Sequence, residues 1–191
     1  METMHDEALA GWLELGEDEW RRTVAFGPAG IEAHARLRLL PDPCHPGQRE
    51  WQAVLDEDHS DDASQLRRAL DVLAGWTTTP HDVLVALWDG TPFHEELRAR
   101  LGTPAVQGPA RSYHLLRARL DEVCAPDDEL TTEGILPAFV WPADRAWCLA
   151  LDVDLHWAGI GAPAGAVEQL LATRGLDVVA AHRDQEVPAY R

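Results

Sequence analysis

Between Arg145 and Trp157 the chain alternates without a break. Positions 147, 149, 151, 153, 155 and 157 are Trp, Leu, Leu, Val, Leu and Trp; positions 148, 150, 152, 154 and 156 are Cys, Ala, Asp, Asp and His. Successive side chains of a strand point to opposite faces, so this period of two predicts one long strand with a fully apolar face. Its second face turns from small to acidic. Upstream, residues 138–141 read as a strand and 142–145 as a turn. The pattern therefore predicts a hairpin that pairs 138–141 with 146–153 and buries Trp141 and Trp147.

The remaining pattern divides into shorter pieces. Residues 31–39 are apolar at odd numbers and polar at Glu32, His34, Arg36 and Arg38, as expected of a strand in a sheet covered on one side. Residues 82–88, 113–120 and 176–181 read as further strands. Helical spacing links Leu9, Trp12, Leu13, Trp20 and Val24, with a break at Gly16. It also links Trp51, Val54 and Leu55, then Leu66, Leu70, Leu73 and Trp76. A helix capped by Thr91 and opened by Pro92 carries Phe93, Leu97 and Leu101; another carries Ala166, Val167, Leu170 and Leu171 and stops at Gly175. These elements predict an α+β (or mixed α/β) fold: a single sheet of about six mainly antiparallel strands, with helices packed mostly on one face. One domain over 1–191 is expected, with 1–28 a loosely attached helical cap and 182–191 a frayed tail.

Charge changes the picture more than composition does. A hydrophobic fraction of 46% is that of an ordinary globular chain, and no apolar run approaches the roughly 20 residues of a membrane span. The acidic N-terminus is unlike a secretory leader, so a cytoplasmic location is expected. The 33 acidic residues outnumber 16 basic ones, all Arg, for a net charge of −17. Such a surface repels phosphate backbones and favours a basic protein partner; the plainer reading is that it only confers solubility. Three cysteines at unrelated spacings form no disulfide framework, and Cys44-His45 lacks a second half at zinc-site spacing. No cofactor or structural metal is expected. Eight Trp residues are placed mainly at periodic apolar positions, which assigns most of them to the core.

Three places carry candidate chemistry. Asp152, Asp154 and His156 share one strand face, where neighbours two apart lie roughly 7 Å from each other and those four apart roughly 13 Å. Two of them could reach one ion, or two carboxylates could do acid–base work. The alternative is a solvated strand end. Asp144-Arg145, framed by Trp141 and Trp147, is either an interface anchor or a shaped turn with the two Trp stacked across the hairpin. Gly159-x-Gly161 ahead of a helix has the outline of an anion-binding loop, but Gly165 falls one place beyond the third glycine of a dinucleotide fingerprint.

Several of these segments recur together. Thr79-Pro80-His81-Asp82 leads into Leu87-Trp88-Asp89-Gly90, and Arg111-Ser112-Tyr113-His114 follows. Leu136-Pro137-x-Phe139-x-Trp141-Pro142-x-Asp144-Arg145-x-Trp147-Cys148 precedes Asp152-x-Asp154 and Trp157. In these the chain resembles an uncharacterised family of cytoplasmic proteins from high-GC Gram-positive bacteria, over most of residues 31–181. The resemblance supports the fold expected above and implies no activity. The leading expectation is thus an acidic, non-enzymatic interaction protein of the bacterial cytoplasm, immunity- or antitoxin-like towards a basic partner. Candidate binding residues are Trp141, Asp144, Arg145, Asp152, Asp154 and His156. The alternatives are a small metal-assisted hydrolase or transferase using Asp152 and Asp154, and a structural subunit or adaptor of a larger assembly.

Overall fold

The computed structural model describes residues 1–13, 16, 19–55, 60–151, 155–186 and 189–191. Among them, one antiparallel sheet contains β1 (Glu2–Met4), β2 (Ala33–Arg38), β3 (Val83–Trp88), β4 (Val106–Gln107), β5 (Ser112–Ala118), β6 (Phe139–Pro142), β7 (Cys148–Ala150), β8 (Trp157–Ala162) and β9 (Val178–Ala181). The strand order is β1-β5-β3-β6-β7-β8-β2-β9, with β4 also on β5. Five helices complete the fold: α1 (Trp20–Phe26), α2 (Asp62–Leu73), α3 (Glu95–Leu101), α4 (Glu129–Thr132) and α5 (Ala164–Ala172).

Nine strands replace the expected six for two reasons. β1 and β4, of three and two residues, are too short to show a period. The long strand expected over 145–157 is two: Cys148 pairs with Gly161, Leu149 with Ile160 and Ala150 with Gly159, so the chain reverses between β7 and β8. Leu149 and Ile160 face the helical side together, so the odd positions of β7 and the even positions of β8 share that face while Trp157 turns to α1. Large apolar residues nevertheless stay on odd numbers through the reversal, which is why the sequence reads as one strand. The hairpin itself forms. Phe139 pairs with Ala150 and Val140 with Leu149, and Trp141 and Trp147 are buried. The two indoles do not stack across it, because positions 141 and 147 fall on opposite faces. Trp141 packs edge-on to Trp12, while Trp147 joins the helical side.

Both faces of the sheet are covered. On one, Leu37, Ile160, Leu149, Val140, Val85 and Leu116 pack with Leu66 and Leu70 of α2, Leu97 of α3, Leu130 of α4, and Val167 and Leu170 of α5. On the other, Leu84, Ala86, Leu115, Phe139, Trp141, Cys148 and Ala150 lie under Ala10, Leu13 and Val24. The expected loose cap is therefore part of the structure: 2–4 is an edge strand and α1 packs on β7, β8 and β2. The strand face of Arg36 is not solvated, and that side chain is buried.

Of Gly159 and Gly161, the first explains how α1 sits so close. Both are residues of β8, not an anion-binding loop. A Cβ at Gly159 would lie 2.3 Å from the Ala25 carbonyl oxygen and 2.7 Å from Phe26 Cα. The missing side chain is the space the end of α1 occupies. Trp157 Nε1 then donates to the Ala25 carbonyl at 2.8 Å, fixing helix to strand.

Candidate functional site

The densest polar chemistry gathers where β2 ends and β8 begins. Arg36 donates through both Nη atoms to Asp42, at 2.7 and 3.0 Å, and its guanidinium lies over the Trp157 ring. Arg38 adds a 3.3 Å contact to Asp42 and two to Asp177. His156 Nε2 is 3.2 Å from Asp42 Oδ1, and its ring packs edge-on to Trp157 and Tyr190. The Arg36 guanidinium, with His156 and Arg38, holds the Asp42 carboxyl far below the ordinary carboxylate range despite burial. Burial pushes the His156 imidazole down, more than the Asp42 carboxylate raises it.

This knot anchors the 41–55 loop. The Tyr190 hydroxyl donates to the Pro41 carbonyl at 2.5 Å, and Arg191 N–H to Gln48 O at 3.0 Å, so the end of the chain is tied down rather than frayed. Buried Gln48 accepts from Cys44 N–H and donates to Gln52 O, while Gln52 Oε1 accepts from Arg49 N–H. The loop carries a single 3-10 turn (Glu50–Gln52), not the amphipathic helix its spacing predicts. On it Trp51 is 78% exposed, Val54 83% and Leu55 44%. No other Trp is exposed: Trp141, Trp147 and Trp157 are buried and Trp12, Trp20, Trp76 and Trp88 partly so. Three exposed apolar side chains within five residues of one pinned loop stand out, since contiguous apolar exposure is informative where single exposed residues are not. Its sequence signal is subtle. Trp51 is preceded by Glu50 and followed by five acidic residues up to 62, with no Arg, so no apolar stripe continues a helix there.

The residues singled out by sequence scatter. Trp141 is core. Asp144 is a structural hub: its carboxylate accepts from Thr77 Oγ1, Thr78 N–H, Thr78 Oγ1 and Ala146 N–H, at 2.6 to 3.2 Å. Burial would raise its pKa, but these bonds prevail and hold it below the ordinary value. Arg145 adopts φ 57° at the hairpin turn and lies over Trp12. Asp152 and Asp154 fall outside the described residues, and His156 points into the Asp42 knot. Sequence reasoning missed Asp42, whose only signal is its place between Pro41 and Pro43, and the contact at 2.8 Å between buried His114 and partly exposed Asp89.

Elsewhere, a groove of about 320 Å³ runs past Leu39, Trp88, Pro92, Ile135, Leu136 and Leu155; Asp62 and Thr91 are polar residues of its lining. Among the described residues no group of three or more His, Cys, Asp or Glu is placed to hold a metal ion. Cys124 and Cys148 are buried, and burial pushes the Cys124 thiol up to about 12. No helix among the described residues is long and apolar enough to cross a membrane. No protein-family model, curated protein or solved structure matches the chain.

The knot carries a pH dependence. His156, facing Asp42, Arg36 and Glu50, and His34, near Arg183 and His182, both have imidazole pKa values lowered chiefly by burial. Between the folded and unfolded values the unfolded chain binds more protons, so stability rises with pH there. The urea midpoint is expected to be level above about pH 7 and to fall as pH drops through the unfolded histidine value of about 6.5. His156→Gln, which can still reach Asp42, should flatten part of that slope and leave the share of His34. A midpoint that rises on acidification, or a slope unchanged in His156→Gln, would contradict this.

Proposed function

We propose that this chain is a non-enzymatic interaction protein of the bacterial cytoplasm that binds a basic protein partner through the Trp51 loop, in the manner of an immunity protein or antitoxin. The observation that carries the reading is the exposed Trp51, Val54 and Leu55 triplet on a loop stapled by Gln48, Gln52 and Arg191. Trp at the centre of an interface is a frequent hot spot, and a pre-ordered loop loses little entropy on binding. Six carboxylates among residues 50–62 of the sequence and the net charge of −17 make this part of the chain strongly acidic. The matching surface is an apolar pocket ringed by Lys and Arg, approached under electrostatic steering.

The test is a native pull-down from a bacterial lysate with wild-type bait and Trp51→Ala bait in parallel. Basic proteins retained by the wild type, released by salt and lost from Trp51→Ala support the proposal. Retention of the same proteins by both baits, or of acidic proteins only, contradicts it.

A further inference from the structure

β9 is the last strand of the sheet, and among the described residues no strand pairs with its outer edge. Arg38 N–H donates to Asp177 O in the β2–β9 register, and Leu39 N–H to His156 O in the β2–β8 register. Directly opposed residues that bond alternate along an antiparallel pair. Even-numbered β2 residues therefore face β9 and odd-numbered ones face β8. In β9, Val179 and Ala181 spend their backbone groups on β2, whereas the N–H and C=O of Val178 and Ala180 point outward. Among the described residues no donor or acceptor meets them, and Ala180 is exposed. The edge has none of the usual guards: the four residues include no charge, no Pro and no Gly.

A second observation lies beside it. Leu171 of α5 is 43% exposed. At 100° per residue it stands roughly 200° round the helix from Gln169, an exposed side chain on the opposite flank that accepts from Trp76 Nε1. Leu171 thus lies on the flank of α5 away from Trp76, towards the open edge. α5 packs on both β2 and β9.

We propose that β9 and this flank of α5 form the interface of a two-fold dimer with a second copy of the chain. Antiparallel pairing with Val178 opposite Ala180 of the partner subunit is the one register that engages all four outward backbone groups of each copy. With strands about 4.8 Å apart and α5 above the gap between β2 and β9, the two α5 axes come to about 10 Å across the dyad, the spacing of packed helices. The Leu171 flanks then meet. Strand pairing over four residues falls short of the roughly 1,200 Å² of a stable interface, and the helix flanks supply the apolar remainder. Charge permits a second copy here: residues 174–184 hold two Arg and two Asp, locally neutral in a chain of −17.

The experiment is sedimentation equilibrium of the full chain over a wide concentration series at low and high salt, for wild type, Leu171→Glu and Ala180→Pro. Proline at 180 removes only an outward N–H and so leaves the β2 pairing intact. The wild type should reach twice the chain mass, with dimerisation unchanged or strengthened by salt, which screens the net repulsion. Leu171→Glu should weaken it by about a hundredfold or more, and Ala180→Pro should abolish it, both with wild-type circular dichroism. Should Ala180→Pro fail to fold, Leu171→Glu decides alone. A wild type monomeric throughout overturns the proposal, as does a dimer that survives in the folded variants. So does a monomer whose Val178 and Ala180 amides resist hydrogen exchange, which would mean that the chain's own segment covers the edge. The opposite salt dependence separates this interface from the Trp51 loop, so either can fail without the other.

Discussion

Gly159→Ala is expected to cost about 3 kcal/mol or more, whereas Gly161→Ala should cost no more than about 1. Both glycines belong to β8, yet they meet different things. The added methyl at 159 falls on the backbone of Ala25 and Phe26, at 2.3 to 2.7 Å, and no rotamer change relieves a clash with backbone. α1 has to lift, breaking the Trp157–Ala25 hydrogen bond and uncovering Val24 and Phe26. At 161 the methyl meets the end of Ile31, at 3.0 Å, and the His34 ring, which can move by a few tenths of an ångström. Urea unfolding of the two variants checks the contrast. Equal costs at both positions would mean that α1 is not held at the distance described.

Asp42→Ala should be nearly as damaging, at about 3 kcal/mol, or about 1–1.5 M in urea midpoint. The Arg36 side chain is 6% exposed, and Asp42 takes both of its Nη donors. Its Nε already has no partner among the described residues, so removal of the carboxylate leaves the buried cation without an acceptor. Arg36→Met in the Asp42→Ala background should recover much of the loss, because an apolar side chain of similar length incurs no such penalty beside Trp157. The single variant should also loosen the Trp51 loop, since Asp42 anchors its start. Accelerated proteolysis within 44–55 would report this. A double variant no more stable than Asp42→Ala would count against a desolvated ion pair.

Strand and helix positions in this chain were readable wherever one side of an element is buried, because burial imposes the period. β2, β3, β6 and α2 lie close to where the apolar spacing puts them. Reading failed where apolar alternation runs on through a change of direction and of face, as between β7 and β8, and where pairing needs no period, as in β1 and β4. It failed differently at 51–55. There Trp51, Val54 and Leu55 mimic a buried stripe, but the turn that carries them is set by Gln48 and Gln52, polar contacts that leave no trace in hydropathy. The glycine pair was visible, but its meaning was not: only the approach of α1 distinguishes a close backbone contact from a phosphate loop. Asp42 and Arg36 are six apart in sequence and joined around a proline turn, and His156 reaches them from far along the chain. No local spacing encodes that meeting.

The most direct test of the interaction surface is the pair of association and dissociation rates for a captured partner, measured for wild type and Trp51→Ala at low and high ionic strength. A buried hot-spot Trp is worth about 2 kcal/mol, so Trp51→Ala should speed dissociation by about 30-fold while leaving association nearly unchanged. Added salt should slow association of both proteins alike, because steering comes from the carboxylates and not from the indole. Unchanged dissociation in Trp51→Ala together with salt-insensitive association would contradict the account, leaving the acidic surface a matter of solubility and the exposed Trp without a partner.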